Sequence, residues 1–446
     1  MRGLSRIEEP FILNGMASLI VATVWLFWRH DLLLQYFYFD QLLALTHLVT
    51  LGFLSSLMMG VLHRFVPTFL HVEPASLRVS RFQFIFYAIG SWGMITHFWM
   101  GGSKGVSWST FLVFLASVLQ LWNFRALFRP SRARGGRKIW VGRFVASALV
   151  FFVLAASMGI LLGLLKAYEV RTPGLATQFI DNVFAHAHLA AIGWVLTMIL
   201  GIELQLVPST FGDRFSLPIR FTLLWVGTLG VAFAFLTGRS VAPFAVMLAI
   251  LCGWHMWGPL RSFCIGRTRE WELLPLTLLV TAAGLGVALA FGWPSPSDPL
   301  RGRVQLAYGF LGIFGFMVLS VVTLVFKLFP MWVWKERFQK EFGRRPVPAM
   351  KELHSERLRI AANVTLFTGV LTTAIGIYQG NETVLAVSTT LILAGIACFL
   401  INFVRVARWD LLEKNYEPTE ADWVKFKKMF PEASSAGSPP GDLRPR

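Results

Sequence analysis

Cysteine is nearly missing from this chain: 3 in 446 residues, at Cys252, Cys264 and Cys398, with no C-x-x-C pairing. That excludes a disulfide framework and a cysteine-built zinc site. Acidic residues are few as well, 24 Asp and Glu against 41 Lys and Arg, for a net charge of +17. In a soluble protein such an excess points to nucleic acid. Here the basic residues stand in loops between apolar runs, so the excess reads as membrane topology and nucleic acid is not an expected partner. Charged residues of both signs make up only 15%, against 55% hydrophobic and 14% aromatic, with a mean hydropathy of +0.60. These values exclude an ordinary soluble domain and place the chain in a lipid bilayer. No small-residue cleavage site follows MRGLSRIEEP, so a retained first helix is expected rather than a removed signal peptide.

What is abundant is the apolar run of membrane length. Twelve are read, near 11–29, 39–63, 82–100, 107–128, 141–165, 178–207, 218–237, 242–262, 272–292, 303–328, 359–378 and 383–405. The expected fold is all-α: a twelve-helix transmembrane domain over 1–409, then a charged tail over 410–446 whose end, SSAGSPPGDLRPR, reads as disordered. The loops after the fourth, eighth and tenth runs are rich in Arg and Lys, while GGSKGVSW and YQGNET, after odd-numbered runs, are poor in them. The positive-inside rule then puts both termini in the cytoplasm, in a membrane of the bacterial inner type.

The second, sixth and tenth runs resemble one another. Counting back from Pro67, Pro208 and Pro330, a glycine recurs fifteen residues upstream as Gly52, Gly193 and Gly315. Twenty residues upstream stand His47, His188 and Phe310, each followed by Leu; Gly60 and Gly201 also match, with Thr323 in the tenth run. The unit is four helices used three times, and three such units closing on a centre put the marked helices inside the bundle. Within it, AHAHLAAIGWV carries His186 and His188 on nearly opposite faces, at about 100° per residue. Ala185, Ala187, Ala190, Ala191 and Gly193 leave room for a flat cofactor or for close helix packing.

A histidine inside a membrane bundle needs a partner, which makes it a functional-site hypothesis. His47 and His188, at equivalent repeat positions and equal depth, are the pair expected to supply two axial imidazoles to a low-spin haem. The alternative for each is a hydrogen bond to a neighbouring helix. His186 faces elsewhere, toward a second haem, a copper ion or water. His97 and His255 are further metal-ligand candidates, His63 is expected at the interface, and Glu203 either carries protons or pairs with a nearby Arg. Tyr308 holds the tenth-run position that matches His186.

On twelve spans with inside termini, three four-helix repeats, His47, and HAHLAAIGWV with its trailing VP, the chain resembles the haem-copper oxidase superfamily, as a divergent subunit-I-like protein. It is also similar to the twelve-span haem- and copper-containing membrane proteins of the nitric-oxide response. The resemblance implies His47 and His188 as low-spin haem ligands and His186 as a ligand of a second site. It implies haem b, one or two, with copper as a further cofactor. The family's H-x-H lies on the tenth span rather than the sixth, and no His-His pair stands on the seventh here, so the usual copper-ligand set is incomplete and oxidoreductase activity is left open. The expected role is respiratory electron transfer or the handling of nitric oxide or oxygen, with a periplasmic cytochrome or other respiratory subunits as partners. The alternative is a cofactor-free transporter, or a structural subunit that keeps the scaffold.

Overall fold

The computed structural model describes residues 7–129, 135–168, 179–206, 216–266, 273–411, 416 and 418–430. Among these every regular element is helical. All twelve apolar runs fold as helices: α1 (Glu8–Trp28), α2 (Asp40–Leu70), α3 (Leu77–Trp99), α4 (Ser103–Asn123), α5 (Arg137–Tyr168), α6 (Phe179–Leu206), α7 (Ser216–Thr237), α8 (Ala242–Cys264), α9 (Leu274–Ala290), α10 (Leu300–Arg337), α11 (Glu356–Gln379) and α12 (Glu382–Leu411). Ten are long and apolar enough to cross a membrane, and the chain is a polytopic membrane protein. The two that differ from expectation are α9, with 17 residues, and α3, whose 23 residues include Arg78 and Arg81 and bury Ser80 and Gln83.

A short α13 (Glu420–Met429) lies within the expected tail, opened by Thr419, whose hydroxyl accepts the Asp422 amide. Pro208 and the terminal SSAGSPPGDLRPR lie outside the described residues. Helices α2 and α10 run well past their expected ends at 63 and 328 because Pro67 and Pro330 do not stop them. Lipid offers a freed backbone group no other partner, so continuing the helix past a proline is the favoured solution.

The chain divides into two compact units, Met1–Val321 with Thr365–Leu393, and Val322–Val364 with Ala394–Arg446. In the first, the repeat is visible in detail. A π-helical segment of 8 residues starts directly after each marked position: Leu48–Ser55, Leu189–Leu196 and Leu311–Val318. Such segments are rare and tend to mark functional regions. The segment of α10 packs on those of α2 and α6, and Trp194 Nε1 of α6 donates to Ser55 Oγ of α2 at 2.8 Å. The marked helices are correspondingly the interior ones, 72%, 67% and 78% buried, whereas none of the other seven membrane-length helices among the described residues exceeds 50%.

The outer contacts repeat as well. Gly60 and Gly201 take the close approach of Phe11 in α1 and Phe144 in α5, where an added Cβ would stand 2.9 and 3.0 Å from the phenylalanine Cβ. Three residues on, Asn14 and Ser147 accept the indole N–H of Trp92 and Trp225, at 2.8 and 2.9 Å.

The second unit has a core of Val333, Phe338, Leu353 and Val406. Asn402 clamps the start of α11 through both the amide and the carbonyl of Ser355. His354, in the preceding loop, is 10% exposed and lies 3.9 Å from Glu356. Burial, aided by the charges of Arg359 and Arg405 and opposed by Glu356, holds its imidazole below the ordinary 6.5. The unfolded chain therefore binds the extra proton first. The stability due to neutral His354 is complete above about pH 6.5 and falls as pH drops through it. We expect the melting midpoint of the native chain to fall between pH 7 and 5, and His354→Gln to flatten that fall.

Candidate functional site

The site histidines are set by local helix chemistry. On each of His47 and His188 the Nδ1–H donates to the carbonyl four residues back, Leu43 at 2.8 Å and Phe184 at 2.7 Å. His186 donates instead to another helix, to Ala155 O of α5 at 2.9 Å. A carbonyl only accepts, so Nδ1 carries the proton in all three and Nε2 keeps its lone pair. That is the tautomer in which histidine binds metals, its second nitrogen anchored to an acceptor. For His47 and His186 no described residue hydrogen-bonds Nε2.

The fold brings His47 and His186 together. Both line a cavity of about 190 Å³ among α2, α3, α4, α5, α6 and α10. Phe98 stacks on the His47 ring at 5.0 Å, and Lys166 lies over Phe98 and Tyr38 while forming an ion pair with Asp40. Tyr38, Phe98 and Lys166 are thus part of the wall of this cavity, with Asp40 holding Lys166 from behind.

His188 does not join them. It faces a second cavity of about 460 Å³, within the range of small-molecule pockets, where its Nε2 accepts the Tyr308 hydroxyl at 3.1 Å. Arg239, Arg301 and Gln305 also line this cavity. Arg301 is held by donation to Pro294 O at 2.5 Å and to Leu289 O at 3.4 Å.

The structure thus sets His47 beside His186 at one cavity and His188, expected to pair with His47, at another. The reason is the pseudo-rotation itself. It carries His47 to His188 and His186 to Tyr308, and so carries the first cavity onto the second. Equivalent residues occupy successive cavities, and the partner across a cavity is two residues away from equivalence. At the third position the corresponding residues are Phe310 and Leu45, which have no donor atom.

The remaining candidates are elsewhere. His97 donates to Gly93 O at 2.6 Å and packs over Gly105, where a Cβ would come within 1.9 Å of its ring. His255 is buried and hydrogen-bonded to Glu203 at 2.9 Å, so Glu203 pairs with a histidine rather than with the expected arginine. His63 is buried rather than interfacial, between Met59 O and the Ser80 hydroxyl, which Asn123 also bonds. Among the described residues no three or more His, Cys, Asp or Glu are grouped to hold a metal ion. The roles of Lys166, Asp40, Arg239 and Arg301 were missed in the sequence. Their one visible signal was a position at the ends of spans whose loops are otherwise poor in charge.

The Tyr308 hydroxyl is the simplest of these contacts to test. Tyr308→Phe is expected to lower stability by about 1 kcal/mol, the size of one net hydrogen bond, read as a small drop in melting midpoint. An unchanged midpoint would mean that the bond to His188 contributes nothing.

No protein-family model matches the chain. It is 23% identical over 214 residues to the cbb3-type cytochrome c oxidase subunit CcoN1 of Stutzerimonas stutzeri, across 45% of this chain and 41% of that protein. The match thus spans less than half of either chain, and it supports a distant relation to the oxidase superfamily for this multi-pass membrane protein.

Proposed function

We propose that this chain is a haem-binding membrane protein that holds haem b between His47 and His186. One observation carries the reading: two imidazoles on different helices, whose Nε2 atoms have no hydrogen-bond partner among the described residues, line one cavity, which at about 190 Å³ would have to widen to admit a porphyrin. Two imidazoles are too few for a protein-built metal site, but they complete an iron whose other four ligands come from a porphyrin. When bound, such an iron supplies a one-electron couple. The chain's own residues hold the imidazoles in one tautomer, pack Phe98 against the His47 ring, and set Lys166, ion-paired to Asp40, in the cavity wall. A second haem would belong to the larger cavity, through His188 once Tyr308 gives way.

The role that follows is electron transfer in a respiratory membrane, or the binding of a diatomic gas such as nitric oxide or oxygen. Its partners would be a periplasmic cytochrome or other respiratory subunits, with the histidine cavities toward the outer face and both termini inside. A cofactor-free transporter or structural subunit is the second reading, favoured by the fact that Tyr308 already satisfies His188.

Pigment separates the two. The detergent-purified whole chain, produced with ample haem, is expected to show a b-type reduced-minus-oxidised spectrum and a pyridine haemochrome near one haem per chain or above. Colourless protein under those conditions would overturn the haem reading.

A further inference from the structure

The second unit carries a groove of about 710 Å³ along the C-terminal half of α12. Leu358 of α11 and Leu400, Ile401 and Val404 of α12 form its apolar part, and Arg405, Arg408 and Trp409 its polar end. Ile401 and Val404 are 59% and 47% exposed on a helix apolar enough to span a membrane. Hydrocarbon, not water, is the medium that such residues meet. Ile401, Val404, Arg405 and Arg408 recur at helical spacing and make one stripe that changes from apolar to basic along its length.

At the basic end Trp409 packs on Phe338 at 5.9 Å, and Arg405 acts on His354 through its charge alone. Arg405 and Arg408 are both exposed, and neither forms a hydrogen bond or ion pair with a described residue. Every other feature of the groove matches one kind of molecule. A guanidinium binds phosphate through paired N–H donors, and an indole beside it is at home at headgroup level. Two cations at one end also favour a net negative headgroup over a zwitterionic one, whose ammonium they would repel.

We propose that this groove is a binding site for one anionic phospholipid, its phosphate on Arg405 and Arg408 and an acyl chain along Leu400, Ile401 and Val404. The lipid would cover the seam between α11 and α12 where the spans meet the membrane surface. This site is independent of the haem reading, and a colourless protein would leave it intact.

The test uses the whole chain in nanodiscs of phosphatidylcholine with a minor share of phosphatidylglycerol, then native mass spectrometry after mild delipidation. Wild type is expected to retain about one phosphatidylglycerol in preference to phosphatidylcholine. The double variant R405Q/R408Q is expected to lose that retention roughly ten- to thirtyfold. The charge-matched control K340Q/R344Q, at exposed positions of the same unit, is expected to keep it. Equal loss in both variants, or no preference in wild type, would reduce the groove to ordinary annular lipid and overturn the site. Release of the lipid by millimolar inorganic phosphate alone would assign the arginines to a soluble anion instead. Because wild-type preference is read separately, a double variant that failed to fold would not shelter the proposal.

Discussion

His186→Ala is expected to bleach the protein as completely as His47→Ala, and His188→Ala is expected to leave the b-type signal in place. The expectation rests on which cavity each ring enters, since His186 and His188 share a helix and differ by only two residues. On the proposed haem reading, removing either imidazole of the first cavity would leave the cofactor with one residue to hold it. Pigment per chain should then fall well beyond tenfold, more than the loss caused by mutating the partners behind a ligand. His188→Ala instead removes a ring held by Phe184 and Tyr308 in the larger cavity. If a second haem occupies that cavity, His188→Ala should lower the haemochrome yield by about half while the bis-histidine spectrum persists. Bleaching by His188→Ala with colour retained in His186→Ala would overturn the pairing. A wild type without colour would overturn the cofactor itself, which is a different result.

The second large effect is steric. In Gly193→Ala the new Cβ would stand 2.6 Å from Phe151 Cγ, a fully buried ring that itself packs on Trp225 at 4.6 Å. That ring has nowhere to turn, so the substitution is expected to cost about 1–3 kcal/mol, as overpacking does in tight cores. The equivalent Gly315→Ala would meet Val370 at 3.2 Å and Leu278 at 3.3 Å, side-chain ends that can shift by the few tenths required. Melting of the two variants in one detergent should therefore place Gly193→Ala clearly below Gly315→Ala. Equal midpoints would mean that the marked helices do not approach their neighbours as closely as described.

Most of the architecture was legible because lipid restricts the chain to helices, and their lengths follow from apolar runs. The repeat was legible too, since it is written in Gly52, Gly193 and Gly315 at one distance from proline. That His47 shares its cavity with His186 was not. Sequence equivalence between His47 and His188 shows that they occupy matching places, and in a rotationally repeated bundle matching places are not adjacent ones. His63 misled for a related reason: near Arg64 it reads as an interfacial residue, and only packing shows it enclosed by Phe11, Phe124 and Ser80. Lys166 and Asp40 are 126 residues apart, and Arg239, in the loop after α7, is far in sequence from Arg301 on α10. Charges of this kind look like interface anchors until folding brings Lys166 to one cavity and Arg239 and Arg301 to the other.

The three π-helical segments give this chain a ruler. Each holds eight residues between the marked position and the α-helical remainder, although the residues themselves differ from one segment to the next. A substitution inside a segment changes one surface. A one-residue deletion changes how many residues fill a turn, since these turns are closed by i→i+5 rather than i→i+4 bonds, and so resets where Trp194 stands against Ser55 and where the neighbouring segments meet. Through evolution or engineering, these stretches can drift in composition but not in count, so an insertion or deletion there is the change this bundle is least able to absorb.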